Sequence, residues 1–190
     1  VEAMFNKNGA ASTGGTAYNL AAADDWNSAV TGGSIADGSA AVSVAGIPVP
    51  SITSAAYNGA TGVLVVTGTG LAALAGAAND IDVSKLTFTG QGGASHTLGA
   101  SSNVEITSPT SFSVVLHSTD KAAIGLLLNA NGTQSSGGTS YNLAAAEDWA
   151  QGADAAVVTA DLAGNGITVS NAADVTGPTA TITVSDTALR

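Results

Sequence analysis

The feature that most constrains the fold of this chain is an internal duplication of its sequence. The segment FNKNGAASTGGTAYNLAAADDW, from Phe5 to Trp26, recurs as LNANGTQSSGGTSYNLAAAEDW, from Leu128 to Trp149. Fifteen of the 22 aligned positions are identical without a gap, at a constant offset of 123 residues. A period of this length matches one small domain, so we expect tandem units that follow one another along the chain.

The composition favours β-structure within each unit. Hydrophobic residues make up 45% of the 190 residues but aromatic residues only 4%, and there are 24 glycines. The apolar content is mostly Ala, Val, Leu and Ile, so the core must be built from small and β-branched side chains. Such a composition favours many short strands over a few long helices.

Runs of alternating or β-branched residues, separated by turn signals, predict where these strands lie. Asn58-Gly59 is the strongest of the turn signals, because this pair suits a tight turn between strands. We predict strands at residues 51–57, 62–68, 83–89, 95–98, 104–107, 112–117 and 166–170, and a counterpart of the last strand at 41–45.

One or two short helices are predicted in each unit. The first covers residues of about 120–129, where Ile124, Leu127 and Leu128 share one face, Ser118 or Thr119 offers an N-cap, and Asp120 lies in the first turn. Val1, Met4 and Phe5 repeat this apolar spacing, so the first copy is expected to begin inside its own helix. A second helix is predicted at about 142–150, with Leu143, Ala146 and Trp149 on one stripe.

These elements divide the chain into one complete unit and parts of two others. Residues 1–46 form the C-terminal third of one unit, residues 48–172 form a complete unit, and residues 177–190 supply the first strand of a following domain. Gly177-Pro178 is interpreted as a linker. The predicted fold is therefore mostly β, with immunoglobulin-like β-sandwich units that each contain one or two short helices.

The charge of the chain limits its partners. There are 14 acidic and 4 basic residues, for a net charge of −10, and no cysteine. Nucleic acid is excluded because binding it requires Lys and Arg, and no apolar run is long enough for membrane insertion. Without cysteine there is no disulfide framework, thiolate metal site or cysteine nucleophile.

Four stretches resemble tandem repeats of very large bacterial surface and biofilm proteins, which are grouped as adhesin-like or haemolysin-type secreted proteins. They are PSITSAAYNGATGVLVVTGTGL, NDIDVSKLTFTGQGG, SPTSFSVVLHSTDKAA and NGTQSSGGTSYNLAAAEDW. The closing GPTATITVSDTAL is similar to the opening of another bacterial immunoglobulin-like domain. The resemblance implies an extracellular location at the bacterial cell surface, a stalk or extender role, and calcium at the junctions between domains.

Acidic pairs are the candidate metal ligands, because calcium prefers carboxylate and carbonyl oxygens. Asp24-Asp25 in the first copy and Glu147-Asp148 in the second occupy equivalent positions. In the segment 79–82, residues with oxygen ligands alternate along the chain. The candidate calcium ligands are Asp24, Asp25, Asp80, Asp82, Glu147 and Asp148. The alternative is that these residues are solvated and provide solubility, since no twelve-residue calcium loop is present.

Aromatic residues of the duplicated segment are predicted to have structural roles. Trp26 and Trp149 are interpreted as core anchors rather than as platforms for a sugar ring. Tyr18 and Tyr141 are expected to hold their loop against the rest of the unit. His96 and His117 are interpreted as ordinary strand residues without a ligand-spaced partner.

No pattern in the sequence indicates an enzyme. There is no G-x-S-x-G motif, and no His-Asp arrangement recurs between the two copies. The leading hypothesis is a structural and adhesive repeat whose partners are adjacent repeats of the same protein. Two alternatives remain: a calcium-dependent module that binds glycans or a surface through loops 90–102 and 131–140, or a filament subunit in which another copy supplies strands to residues 1–46.

Overall fold

The computed structural model describes residues 5–173, and the predictions for Val1 and Met4 and for the strand after Gly177 lie outside this range. The fold is mostly β, with antiparallel and mixed sheets and one short helix. The elements are β1 (Asn19–Ala22), β2 (Asp37–Ala41), β3 (Ser51–Asn58), β4 (Val63–Thr69), β5 (Leu86–Thr89), β6 (Ser95–Thr97), β7 (Ile106–Ser108), β8 (Ser111–Val115), α1 (Ser118–Leu127), β9 (Asn142–Ala145) and β10 (Ile167–Ser170).

The largest sheet has five strands in the order β10-β3-β4-β8-β7. Its central strands alternate strictly between the two faces: Leu64 and Val66 of β4 and Phe112 and Val114 of β8 are fully buried. The pairings are antiparallel except that of β10 with β3, which is parallel and joins the last strand of this sheet in sequence to the first. The predicted strands of this region are therefore confirmed within a few residues.

A second sheet has three strands in the order β6-β5-β9. Phe88 of the central strand β5 lies opposite His96 of β6 and Leu143 of β9. The strand predicted at 83–89 is shorter than expected, because Val83–Lys85 forms a 3-10 turn in which the Asp82 carboxylate accepts the Ser84 N–H. Only the remainder of the segment extends as a strand.

The two sheets and the helix enclose one apolar core. Its buried members all lie between Ile52 and Val169, so residues 50–172 contain a complete core of their own. Rings of the two sheets meet inside it, with Tyr57 and Phe88 centroids 6.4 Å apart in an edge arrangement. Ile124 and Leu128 contribute from the helix and its end.

The helix begins two residues earlier than predicted. The N-cap is His117, whose Nδ1 accepts the Thr119 N–H at 3.3 Å, whereas the prediction placed the cap at Ser118 or Thr119. Asp120 lies in the first turn as expected, and it is buried.

The predicted helix at 142–150 is wrong. Residues Asn142–Ala145 form strand β9, which pairs with β5, and a turn follows that brings Trp149 back to the core. Ala, Leu and Glu favour helices locally, but pairing with β5 buries Leu143 and Ala145 completely. Tertiary burial outweighs the local helix preference here.

The first copy of the duplicated segment forms a separate two-stranded sheet of β1 and β2. Residues 5–47 precede the main core and are hydrogen-bonded to it at Asp154 and Ala155. Within the described residues, no helix has the length and apolar character that a membrane crossing requires.

Candidate functional site

The duplicated sequence makes the same backbone hydrogen bonds in both copies. Gly9 forms an antiparallel bridge with Val44, and Gly132 forms one with Val169. In each copy a serine closes the glycine-rich turn. The carbonyls of Ser12 and Ser135 accept the N–H groups of Gly15 and Gly138, and their hydroxyls accept the N–H groups of Thr16 and Thr139, four residues after each serine. The sequence identity thus corresponds to matching local geometry.

Tyrosine anchors the loop in both copies, which confirms that prediction. The Tyr18 hydroxyl donates to the Lys7 carbonyl at 3.2 Å, and the Tyr141 hydroxyl donates to the Ala130 carbonyl at 3.1 Å. Both rings are buried. Because the bonded carbonyl lies eleven residues upstream each time, the hydroxyl closes the same loop in the two copies.

A tryptophan and an acidic residue together hold the loop after β9. Trp149 Nε1 donates to the Thr159 carbonyl at 2.9 Å, while the Glu147 carboxylate accepts the N–H groups of Thr159 and Ala160. Asp148, between them, has a positive φ of 62° that turns the chain. Glu147 therefore satisfies backbone donors that would otherwise be left without partners.

The first copy contains the same arrangement. Trp26 Nε1 donates to the Ile35 carbonyl at 2.9 Å, and the Asp24 carboxylate accepts the Ile35 N–H at 2.8 Å. This N–H bond holds the pKa of Asp24 below its usual value. Asp25 has a φ of 61°, matching Asp148. The paired acidic residues thus have a structural use in both copies.

The other candidate ligands also bind backbone groups. Asp80 is fully buried, and its two oxygens accept the N–H groups of Leu74 (2.6 Å) and Ile106 (2.8 Å). Asp82 caps the turn at Ser84. Across residues 5–173, no group of three or more His, Cys, Asp or Glu residues converges in an arrangement that could hold a metal ion.

A polar cluster around Asp120 was not anticipated from the sequence. One carboxylate oxygen lies 3.0 Å from His96 Nε2, and the other accepts the Ser101 hydroxyl and N–H, both at 2.7 Å, and the Ala100 N–H at 3.0 Å. Burial raises the pKa of Asp120, but the hydrogen bonds from His96, Ser101 and the backbone outweigh burial and hold this pKa far below its usual value. His96 lies in strand β6, as its interpretation as an ordinary strand residue predicts, and its hydrogen bond to Asp120 is a contact that the sequence does not indicate.

This cluster has the wrong connectivity for nucleophilic catalysis. Asp120 lies between His96 and Ser101, so the histidine is not placed between an acid and a hydroxyl as a general base would be. The Ser101 hydroxyl also accepts the His117 N–H. The arrangement fastens the 99–101 loop to the N-terminal turn of α1, where the helix dipole favours a negative charge.

The two loops proposed for binding lie beside each other. The Gln91 side-chain oxygen accepts the Gly137 N–H at 3.0 Å and lies 3.4 Å from the Ser136 hydroxyl. Loops 90–102 and 131–140 therefore share one continuous surface.

Trp149 and Trp26 occupy different environments in spite of their equal local sequence. Trp149 is fully buried and its ring lies 6.0 Å from Phe112, so the core-anchor prediction is confirmed for this residue. Trp26 is 63% exposed, so the same prediction is wrong for it. Phe112 of β8 lies against the Trp149 ring, and within residues 5–173 the sheet of Trp26's copy consists of β1 and β2 alone.

The contact between the first copy and the main core depends on Asn8 and Asp154. Asn8 Nδ2 donates to Asp154 Oδ2 at 2.7 Å, and the Asn8 N–H donates to the same oxygen at 3.2 Å. Asp154 is only 4% exposed. Burial raises the pKa of Asp154, but hydrogen bonds from Ala156 and Asn8 and the charge of Lys7 outweigh burial and lower it.

Backbone bonds extend this contact on both sides. Asp154 N–H donates to the Pro48 carbonyl, and Ala155 N–H donates to the Asn6 carbonyl, both at 3.0 Å. Asn8 also exchanges two hydrogen bonds with Ile47. We call Asn6, Asn8, Ile47, Pro48 and Asp154 the junction. Beside it lies a cleft of about 640 Å³, where Asn6 Oδ1 and Asn79 Oδ1 have no hydrogen-bond partner.

Sequence reasoning did not identify the junction. Asn8 belongs to the identical positions, but Asp154 falls where the first copy has Thr31, so no repeated pattern marks it. Asn131, the counterpart of Asn8, accepts the Ala172 N–H as Asn8 accepts that of Ile47.

No protein-family model, curated protein or solved structure matches this chain.

Proposed function

We propose that this chain is an extracellular structural and adhesive repeat region of a large bacterial surface or matrix protein, acting as a stalk or fibre element. Its units are proposed to be immunoglobulin-like β-sandwiches, and its partners are adjacent repeats of the same protein. The role is mechanical rather than catalytic. The observation that carries this proposal is the partly buried hydrogen bond from Asn8 to the buried carboxylate of Asp154, which ties the first copy to the main core.

A stalk needs successive units to be held in a fixed orientation, since free linkers would let them swing. The junction supplies several bonds over a short distance, including the paired bonds between Asn8 and Ile47 and those at Pro48 and Asp154. A carboxylate with so little exposure is stabilised only while its donors remain in place. Separation of the two parts would therefore leave Asp154 without its partners on Asn8.

The use of the acidic residues also supports a structural role. Asp80, Glu147 and Asp154 each accept at least two hydrogen bonds from other parts of the chain. Their placement organises loops around small cores that contain few aromatic side chains. An extended protein made of such units gains solubility from its remaining negative charge.

The proposal is tested by measuring the distance between the two parts in solution. The chain has no cysteine, so Ser28→Cys and Ser102→Cys introduce unique positions for spin labels on two exposed side chains. We expect a narrow distance distribution that broadens when Asn8→Ala is added. The matched control is Asn131→Ala, which removes the equivalent side chain away from the junction. A broad distribution in the doubly labelled parent would contradict a rigid stalk.

A second candidate is a calcium-dependent module that binds glycans or a surface. It is favoured by the contact of Gln91 with Gly137, which makes loops 90–102 and 131–140 one surface. The test measures binding of a fluorescently labelled parent chain to immobilised glycans, once with calcium and once with EDTA. The Gln91→Ala variant is measured in the same way. Binding that needs calcium and is lost in the variant would favour this candidate over the stalk alone.

A further inference from the structure

We infer that the face of β1 carrying Leu20, together with Trp26, is a docking surface for a further copy of residues 51–127, seated through its strand equivalent to β5. The inference rests on the proposed repeat function, because it identifies the partner that the first copy takes. It assigns an interaction surface to the two largest exposed side chains of the duplicated segment.

The unpaired edge of β1 corresponds to a paired edge of β9. On one side, β1 pairs Asn19 with Ala41, and Ala22 with Asp37. Strand β9 has the same neighbours on that side, since Asn142 bridges Gly166 and Ala145 bridges Asp161. On its other side β9 pairs along its full length with β5, whereas β1 has no strand there within residues 5–173.

Side-chain exposure follows this difference in pairing. Leu143, opposite Phe88 of β5, is 0% exposed, while its counterpart Leu20 is 63% exposed. Trp149 is also 0% exposed against 63% for Trp26. For Leu143 and Leu20, this difference in exposure accompanies the presence of β5 beside β9 and the absence of such a strand beside β1 within residues 5–173. Two exposed apolar side chains beside an open strand edge form a surface suited to strand addition.

The surface is also ready to receive the same partner. From Asn19 to Ala23 the sequence is identical to that from Asn142 to Ala146, so the side chains that face β5 in the complete unit are all present. Trp26 is already held by Ile35 as Trp149 is held by Thr159. Neither the NLAA strands nor the LTFT strand β5 contains a charge that would oppose pairing.

The proposed partner is an additional copy of residues 51–127 without its own β9, rather than an intact second chain. Strand β5 is the central strand of its sheet, with β6 on one side and β9 on the other, so both of its edges are used. A second complete chain therefore offers no free β5. Another copy of residues 51–127 that lacks its own β9 has the required edge available.

The test joins an added copy of residues 51–123 directly to Val1 of the full chain, so that the first four residues of the chain take the sequence positions of residues 124–127 of that copy. The 123-residue offset places Val1 where Ile124 follows Ala123, so the register is defined and pairing is intramolecular. Acrylamide quenching and tryptophan emission report on Trp26, because Trp149 is already buried. We expect a blue shift of the emission and loss of quenching of Trp26, together with slower hydrogen exchange over Asn19–Ala22.

Two variants control the interpretation of the Trp26 fluorescence. Trp26→Phe removes the signal and so assigns it, while Phe88→Asp in the added copy alone leaves the original core intact and should abolish protection of Trp26. If Trp26 remains quenchable in the fusion, the assignment is overturned, whether or not the added copy folds. Protection of Trp26 that grows with concentration in the unextended chain would also overturn it, in favour of a whole second chain.

Failure of this proposal is distinguishable from failure of the stalk proposal. The spin-label distance between residues 28 and 102 reports on the junction and does not depend on what covers Trp26. A narrow distance distribution between the two labels, together with a Trp26 that remains quenchable in the fusion, would be consistent with the stalk proposal and would contradict the docking surface.

Discussion

Trp149 and Thr159 are bound across the loop that follows β9: the indole N–H donates to the threonine carbonyl at 2.9 Å, and both residues are buried. Glu147 accepts the N–H of the same threonine. One peptide segment thus has its donor and its acceptor satisfied by two side chains that lie two residues apart. The first copy repeats the arrangement at Asp24, Trp26 and Ile35.

Removing the Glu147 carboxylate should destabilise the unit. We expect Glu147→Ala to lower the free energy of unfolding by about 1–3 kcal/mol, because the N–H of buried Thr159 loses its partner. Glu147→Gln keeps an acceptor oxygen and should cost less. Urea denaturation followed by far-UV circular dichroism measures the difference. Equal stability of Glu147→Ala and the parent would contradict this role.

The two tryptophans should respond differently to truncation. Trp149→Ala opens a cavity beside Phe112 and should cost about 3–5 kcal/mol of unfolding free energy. Trp26→Ala, at an exposed position, should change stability by about 0.5 kcal/mol or less. Parallel thermal and urea unfolding of the pair provides the check, and similar losses in both variants would be inconsistent with the described environments.

Asp120 should make stability depend on acid pH. Its pKa is lowered in the folded state, so the folded form binds this proton less readily than the unfolded chain, whose Asp pKa is about 3.9. The contribution of the Asp120 carboxylate to the free energy of unfolding is therefore fully present above the pKa of the unfolded chain. It is lost as pH falls through the pKa of the folded state. We expect the parent to lose stability below about pH 4 more steeply than Asp120→Asn.

The measurement for Asp120 is urea unfolding of both proteins at intervals from neutral to strongly acidic pH. Asp120→Asn should be the less stable protein at neutral pH, and the difference should shrink towards low pH. Ser101→Ala, which removes one donor and keeps the carboxylate, should retain a weaker form of the same pH dependence. Parallel stability curves for parent and Asp120→Asn would remove Asp120 as the source.

Asn8 and Asp154 should be energetically coupled. In a double-mutant cycle of Asn8→Ala and Asp154→Ala, we expect a coupling energy of about 1–2 kcal/mol, since the residues share a partly buried, charge-assisted hydrogen bond. Asn131→Ala with Asp154→Ala is the matched cycle, and it should be additive. Additivity in both cycles would show that the junction bond contributes nothing measurable.

The calcium hypothesis predicts a rise in melting temperature with micromolar to millimolar calcium, reversed by EDTA, through preferential binding to the folded state. Asp148→Asn and Asp25→Asn should each reduce that rise if the paired positions bind the ion. Scanning calorimetry of the full chain measures it. A melting temperature that is unaffected by calcium would contradict the calcium hypothesis and leave Asp24, Asp80, Asp82 and Glu147 with the hydrogen bonds described above as their roles.

Much of the fold can be predicted from the sequence. Alternation in residues 112–116, the β-branched run after Gly62 and the Asn58-Gly59 signal each predict strands or turns that the structure contains. These signals work because strand patterning and turn chemistry depend on near neighbours. The helix at Ser118–Leu127 is predicted for the same reason.

The candidate site is less accessible from the sequence. The Asp120 cluster and the junction join residues up to 146 positions apart, such as Asn8 and Asp154, and no local pattern encodes that separation. The acidic pairs were recognised as recurring, but their hydrogen-bond partners depend on where the following loop returns. Geometry of this kind comes from chain path rather than from composition.

What the sequence by itself determined is the duplication, the β-rich composition and the local turn and loop geometry that the two copies share. Tertiary structure alone decided the conformation of NLAAAEDW, a segment that favours a helix locally but whose first four residues form β9 because they pair with β5, where Leu143 and Ala145 are buried. It also decided that Trp149 is a core residue while Trp26 is exposed. The physical reason is that burial depends on which distant strands lie against a side chain, and identical neighbours in sequence cannot specify that.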